Sequence, residues 1–299
     1  MTNDQSDKEA RPATLYVVAT PIGNMGDITY RAVKILSSVD IIAAEDTRNT
    51  KGLLSKLNLQ GRLISYREHN EVTSSDGIIK LLSGGNSVAL VSDAGTPGIC
   101  DPGAIVVAKA RDAGYRVEPI PGASALTAAL SVSGLIQQGF LFKGFVPAKS
   151  GERKQFLTNL TSYDVPVVLF ESPHRIKACL SEMLSIFGED LRVFIGRELT
   201  KANEETVSLS LRDAVIWVSS GVYQSRGEFV LTLFLPLTVS EEDNASSEVK
   251  ELMKDLLQSL PLKQTVDIVA KYSQIPRKRI YQMALDFKKT DEANREIRI

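Results

Sequence analysis

The sequence predicts an α/β protein made of two successive α/β blocks, followed by a small helical module. Three observations predict it. Apolar runs of strand length alternate with helical patterns through the first half, as in a largely parallel sheet with crossover helices. In a second block, from about Phe140, strand candidates outnumber crossover helices, so its sheet should be mixed. The acidic, aperiodic stretch at 240–248 (SEEDNASSE) then separates these blocks from a run of helical periodicity.

In chain order, residues 15–19 read as a buried strand. Asp27 is placed to cap a helix whose apolar face is Ala32, Ile35, Leu36 and Val39. Further strands are expected at 40–44, 87–92 and 115–120, a short helix at 50–57 and a helix of small residues at 123–132. A Gly/Gln stretch at 134–139 marks the boundary between the blocks. The second block offers strands at 140–145, 165–170, 192–195, 206–211 and 229–235, with helices at 153–160, 174–187 and 212–217. Beyond the linker, 249–260 and 262–272 are periodic. Pro276 can open another helix with Tyr281 and Leu285 on one face, which gives a helix-turn-helix pattern. The resulting division is a tail at 1–12, blocks at 13–136 and 137–238, a linker at 239–248 and a helical module at 249–299.

Composition bounds the function. A chain of 299 residues, 43% hydrophobic and 24% charged, is ordinary for a globular protein and long enough to bury a sizeable core. Its net charge of −1 supplies no global positive field, so any nucleic-acid binding must come from local patches. Cys100 and Cys179 belong to no CxxC or Cys/His cluster, which argues against a structural zinc site and fits a reducing compartment; no metal is expected. The first eleven residues lack an apolar core, and no run of 18 apolar residues exists. A secretory signal and a membrane span are therefore not expected, and the expected location is the cytoplasm.

The usual phosphate-binding signatures are missing: there is no GxxxxGK[ST] and no GxG. Four other loops stand out, each just after an expected strand. They are 20–27 (TPIGNMGD), 45–48 (EDTR), 92–98 (SDAGTPG) with Asp101-Pro102-Gly103 behind it, and 121–125 (PGASA). In an open α/β sheet, ligands bind beyond the carboxyl ends of the strands, so these loops are placed to build one crevice. Glu45, Asp46, Arg48 and Asp93 sit where buried strands end, and charges there need partners. Salt bridges among themselves are the alternative to a ligand.

Taken together, LYVVATPIGNMG at 15–26, EDTR at 45–48, VSDAGTPGICDPG at 91–103 and PGASA at 121–125 resemble the tetrapyrrole-methylase superfamily. LFESPHR at 169–175, GRELTKANEE at 196–205 and RGEFVL at 226–231 narrow the resemblance to the branch that methylates the ribose 2′-oxygen of a decoding-centre cytidine in 16S ribosomal RNA. The resemblance covers about residues 13–290. It implies two α/β domains with S-adenosylmethionine in the cleft between them, usually in a homodimer. By resemblance, Pro21, Ser92, Asp93, Ala94, Gly95, Ser124 and Ala125 contact the cofactor. Phe170 and the Gly196–Arg197 turn face it from the second block, and Gly227 leaves room for adenine. Glu45, Glu171, Glu198 and Lys201 are the candidates for a general base; Lys201 would need a depressed pKa. Arg48 and Arg175, with Arg197, are suited to hold RNA phosphates through bidentate contacts. His174 is expected to open a helix as a structural polar residue, with contact to substrate as the alternative, and Cys100 to pack rather than to act as a nucleophile.

The segment after Pro261 carries nine basic residues against five acidic ones, a net +4. Arg277, Lys278 and Arg279 are its densest cluster. A basic patch on a helical module is an electrostatic footprint of nucleic-acid binding, although charge runs are also often plain solvated faces. Two other functions remain open at this stage. One is methylation of a porphyrin or corrinoid precursor, which would have no need of the basic module. The other is a non-catalytic RNA-binding protein, which would have no need of the four loops.

Overall fold

The computed structural model describes residues 10–134, 139–221, 226–235 and 247–273, and positions 275, 277, 280–285 and 287 beyond them. Residues 1–9 of the expected tail, 239–246 of the expected linker, and Pro276, Lys278 and Arg279 lie outside the described residues, and the last two linker positions, 247–248, are already helical. The chain divides into two compact units, Met1–Leu235 and Pro236–Ile299.

The first sheet of the larger unit holds β1 (Thr14–Val18), β2 (Ile41–Ala44), β3 (Leu63–Ser65), β4 (Val88–Val91) and β5 (Arg116–Ile120). Their order is β3-β2-β4-β1-β5, and every pairing is parallel. The sequences IIAA and VALV of β2 and β4 are buried at every position, as strands covered on both faces must be. Alternate residues feed two cores: Tyr16, Val18, Ile42, Ala44 and Ala89 on one face, Leu15, Ile41, Ala43, Val88 and Leu90 on the other.

The helices of this half are α1 (Tyr30–Ser38), α2 (Thr47–Lys56), α3 (Glu71–Ser83), α4 (Ala104–Asp112) and α5 (Ala125–Val132). Asp27 does not cap α1; it falls in a single 3-10 turn, Met25–Asp27. Thr29 is the cap, its hydroxyl accepting the N–H of Ala32 at 3.1 Å, because a capping side chain must stand immediately before the first helical residue. β3, α3 and α4 have no counterpart in the sequence-based assignment.

The second sheet contains β6 (Leu141–Phe145), β7 (Val167–Glu171), β8 (Arg192–Arg197), β9 (Glu205–Ser210) and β10 (Phe229–Leu233), in the order β6-β7-β10-β8-β9. It is mixed, as expected: β6–β7 is parallel and the other three pairings are antiparallel. Helices α6 (Ser150–Leu160), α7 (Ile176–Phe187) and α8 (Leu211–Ser219) supply the core on one face, with Val167, Leu169, Val193 and Ile195. On the opposite face Val168, Phe194 and Val230 pack against Ile22, Ala125, Leu126 and Ala129 of the first half. That second cluster joins the two halves.

The smaller unit contains α9 (Ser247–Ser259) and α10 (Leu262–Ser273), with helical residues again at 277, 280–285 and 287. Met253, Val266, Val269, Ile280 and Ala284 form a core of its own.

Candidate active site

Because β2, β4, β1 and β5 are adjacent and parallel, their four following loops emerge side by side at one sheet edge. Hydrogen bonds stitch them together. Thr20 and Gly95 exchange backbone bonds of 2.8 and 3.0 Å. The Thr20 hydroxyl donates to Ser92 O at 3.3 Å, and Thr96 donates to Ala123 O at 3.2 Å. Asp93 binds the start of α2: its Oδ1 accepts the Asp46 N–H at 3.0 Å and its Oδ2 the Asn49 amide at 2.9 Å. Asp93 N–H in turn donates to Glu45 Oε2 at 3.3 Å. Gly95 sits at φ +83°, which a side chain rarely adopts, so glycine is required there by conformation.

Between this edge and the second sheet lies a cavity of about 450 Å³, within the ordinary range for small-molecule and cofactor sites. The first half contributes Ile22, Glu45, Asp93, Ala94, Gly95 and Thr96, then Ile99, Cys100 and Asp101, then Ser124 and Ala125. The second half contributes Phe145, Phe170, Glu171, Ser172, Pro173, Leu199, Glu228, Phe229 and Val230. Phe170 lies between Phe142 and Phe145, edge to face, with ring centroids 5.0 and 5.5 Å away. The wall is thus aromatic on one side and acidic on the other. Among the described residues, no three His, Cys, Asp or Glu side chains are grouped to hold a metal ion.

The carboxylates differ in what they do. Asp46 caps α2 and pairs with Arg48 at 2.6 Å, which holds its carboxyl well below the usual carboxylate range. Burial pushes the Glu45 carboxyl up, reinforced by Asp93, Glu68 and Asp46 and opposed by the Asp93 N–H. Burial and the neighbouring Glu45 push Asp101 up to about 6, with a contribution from Asp93 and an opposing one from the Ser92 hydroxyl. Asp101 sits in a turn shaped by Gly98 at φ +81°, Cys100 at φ +63° and Gly103 at φ +150°. Glu71, the first residue of α3, secures that turn: its Oε1 accepts the N–H of Gly103 at 2.8 Å and the hydroxyl of buried Tyr66 at 2.9 Å.

Several expected site residues stand elsewhere. Strand alternation sends the Glu171 side chain to the same face as Val167 and Leu169, although the residue still borders the cavity. There its fully buried carboxylate accepts the Ser172 N–H at 2.7 Å and the Arg175 Nε at 2.8 Å. Arg175 is thereby engaged in an internal ion pair. Arg197 is 8% exposed and donates to Glu205 and to the carbonyls of Asn203 and Arg226, so it holds the β8–β9 corner rather than a phosphate. A Cβ at Gly227 would collide with the Glu198 side chain, and its φ is +92°, so glycine is required there by packing and conformation. A Cβ at Gly196 would likewise press on Leu199, at 3.2 Å.

Lys201 has the opposite of the depressed pKa a base would need. Burial pulls it down, but hydrogen bonds to Glu198 at 2.7 Å and Glu228 at 3.0 Å leave it raised. The same ion pair, outweighing burial, holds the Glu198 carboxyl below its ordinary value. These two neutralise each other. Pro21 and Ser92 lie beside the cavity without lining it; Ser92 is buried and donates to Ala94 O at 3.3 Å. His174 is exposed in the turn before α7, and the Cys100 sulfur would stand 2.9 Å from a Cβ on Gly144. Arg48 is 85% exposed, and Arg277 pairs with Asp267 at 2.7 Å in the smaller unit. Asp101 and Glu228 are acids of the cavity wall that sequence reasoning missed; the signal for Asp101 is an acid in a Pro/Gly turn directly before a helix.

A model of the tetrapyrrole (corrin/porphyrin) methylases matches residues 14–215, and a model of the RsmI C-terminal HTH domain matches residues 243–288. The ribosomal RNA small subunit methyltransferase I of Neisseria meningitidis serogroup B is 46% identical over 92% of this chain and 94% of its own length. The Vibrio cholerae protein of the same name is 39% identical over 96% and 99%. Among solved structures, a cobalt precorrin-4 methyltransferase of cobalamin biosynthesis aligns with a TM-score of 0.55 at 19% identity, covering 74% of this chain and 94% of that one; this likeness concerns the fold alone.

Proposed function

The chain belongs to the tetrapyrrole (corrin/porphyrin) methylases, a family of methyltransferases, and from that membership we propose that it methylates the ribose 2′-oxygen of a decoding-centre cytidine in 16S ribosomal RNA, using S-adenosylmethionine. The observation that carries this reading is the likeness to relatives named ribosomal RNA small subunit methyltransferase I along nearly the whole chain. The RsmI C-terminal match supports the same branch over the methylases of small tetrapyrroles. The reading carries with it action in the cytoplasm as a homodimer, which the family resemblance alone motivates.

The cavity fits the cofactor. Its aromatic side suits a nucleobase, and Glu45 and Asp93 suit cationic centres. Ser124 precedes α5 without spending its hydroxyl on the cap, so this hydroxyl and the helix N-terminus suit a carboxylate. S-Adenosylmethionine supplies an electrophilic methyl group when bound. Ala94, Gly95, Ser124, Ala125 and Phe170 would hold it, and the stitched loops would keep the acceptor aligned with it, where much of the acceleration arises. Arg48 would meet RNA phosphate at the rim. Arg277, Lys278 and Arg279 would dock the RNA from the smaller unit.

The test uses purified protein with radiolabelled S-adenosylmethionine and three acceptors: small ribosomal subunits, naked 16S RNA and uroporphyrinogen. Label is expected in ribosomal RNA, with a primer-extension stop at one decoding-centre cytidine. Label in the tetrapyrrole and none in RNA would replace this reading with the small-substrate one.

A further inference from the structure

A ribose hydroxyl that attacks a methyl group must give up its proton, and the candidates favoured by sequence do not serve equally. Glu198 and Lys201 bind each other, and the Glu171 carboxylate is engaged by Arg175 and the Ser172 N–H. Asp93 spends both oxygens on the start of α2. Glu45 accepts the Asp93 N–H. Asp101 remains, lining the cavity from a turn whose backbone Glu71 holds in place.

Resting on the proposed function, we propose that Asp101 is the catalytic residue that takes the proton of the attacking hydroxyl, with Glu45 as its partner carboxylate and Glu71 as the positioning residue. The groups facing Asp101 are Glu45, Asp93 and the Ser92 hydroxyl, with Cys100 beside it on the turn. Glu45 is itself faced by Asp93, Asp46 and Glu68. Buried near other negative charge, Asp101 binds a proton more readily than an ordinary aspartate, and a proton affinity nearer neutrality suits a general base.

The step balances. The hydroxyl oxygen forms its bond to the methyl carbon as the O–H bond breaks and the proton passes to the Asp101 carboxylate. The C–S bond breaks with its electron pair on sulfur, leaving a neutral thioether. One positive and one negative charge disappear together, so the cavity ends with the net charge it began with. A water-poor site favours that outcome, since separated charges are costly there.

Two measurements test the role. In protein labelled with ¹³C at aspartate carboxyls, the resonance missing from Asp101→Asn should titrate near pH 6, and Glu45→Gln should move it lower. In methyl transfer to small subunits, Asp101→Asn should lower kcat by roughly 10²–10⁴-fold, while cofactor affinity by calorimetry stays within a few-fold. The acidic limb of the rate profile should vanish in the variant, and Asp101→Glu should restore part of kcat. Cofactor affinity falling in step with kcat would make Asp101 a binding group and overturn the proposal. So would a kcat within about three-fold of wild type, well short of a general-base contribution. A wild-type protein inert on ribosomal RNA would instead remove the proposed function, and this role with it.

Discussion

Glu71 accepts the backbone N–H of Gly103 at 2.8 Å, so the first residue of α3 closes the turn that carries Asp101. The same oxygen takes the Tyr66 hydroxyl at 2.9 Å. Glu71→Ala would leave buried Gly103 N–H without its acceptor, at a cost of roughly 1–3 kcal/mol. Tyr66 would lose one of its hydrogen-bond partners and keep Ser75. We expect lower stability in denaturant unfolding and a loss of kcat larger than the loss of cofactor affinity. Glu71→Gln keeps an acceptor oxygen and should recover most of both. Equal behaviour of the two variants would mean that the turn holds itself.

Asp101 also makes a stability prediction. Its folded pKa of about 6 lies above the ordinary aspartate value, so the folded protein binds this proton more tightly than the unfolded chain. The associated stability is fully present below about pH 4 and is lost as pH rises through about 6. Asp101→Asn removes that loss. The variant should therefore melt higher than wild type at pH 8, with the gap closing between pH 6 and pH 4. A gap that is constant with pH would mean that Asp101 is an ordinary carboxylate in the folded state.

The proposed docking role of the smaller unit can be tested apart from chemistry. Arg277 and Asp267 form a half-exposed ion pair at 2.7 Å, and such pairs contribute at most about 1 kcal/mol. Replacing Arg277, Lys278 and Arg279 by alanine should change melting little, since alanine is a strong helix former. RNA affinity should fall and depend less steeply on salt, by a slope of about 0.9 for each phosphate contact removed. Cofactor affinity should not change. RNA binding measured at several salt concentrations checks this; an unchanged slope with full activity would assign RNA docking to the cavity rim near Arg48.

What sequence could reveal depended on how local the cause was. The strand–helix alternation, the mixed second sheet and the order of the four loops follow from periodicity and from Gly/Pro punctuation. α3 escaped because EVTSSDGIIKLLS mixes β-branched residues, serines and a glycine, and α4 because AIVVAKARD opens like a strand. β3 is three residues long. Their formation depends on packing: Ile78 and Leu82 of α3 and Val106 and Ala110 of α4 are wholly buried in one core.

The same division runs through the site. Sequence by itself determined that Glu45, Asp93, Gly95 and Ser124 lie in loops after parallel strands, and hence at one edge of the sheet. Only the tertiary structure decided which of the acids serves the cavity. Period-two alternation aims Glu171 at the core beneath the sheet, and Lys201 reaches Glu198 and Glu228. Asp101 meets Glu45 across more than fifty residues of chain. A charge's proton affinity is set by its burial and by the distances to other charges, and those distances exist only once strands far apart in sequence lie side by side.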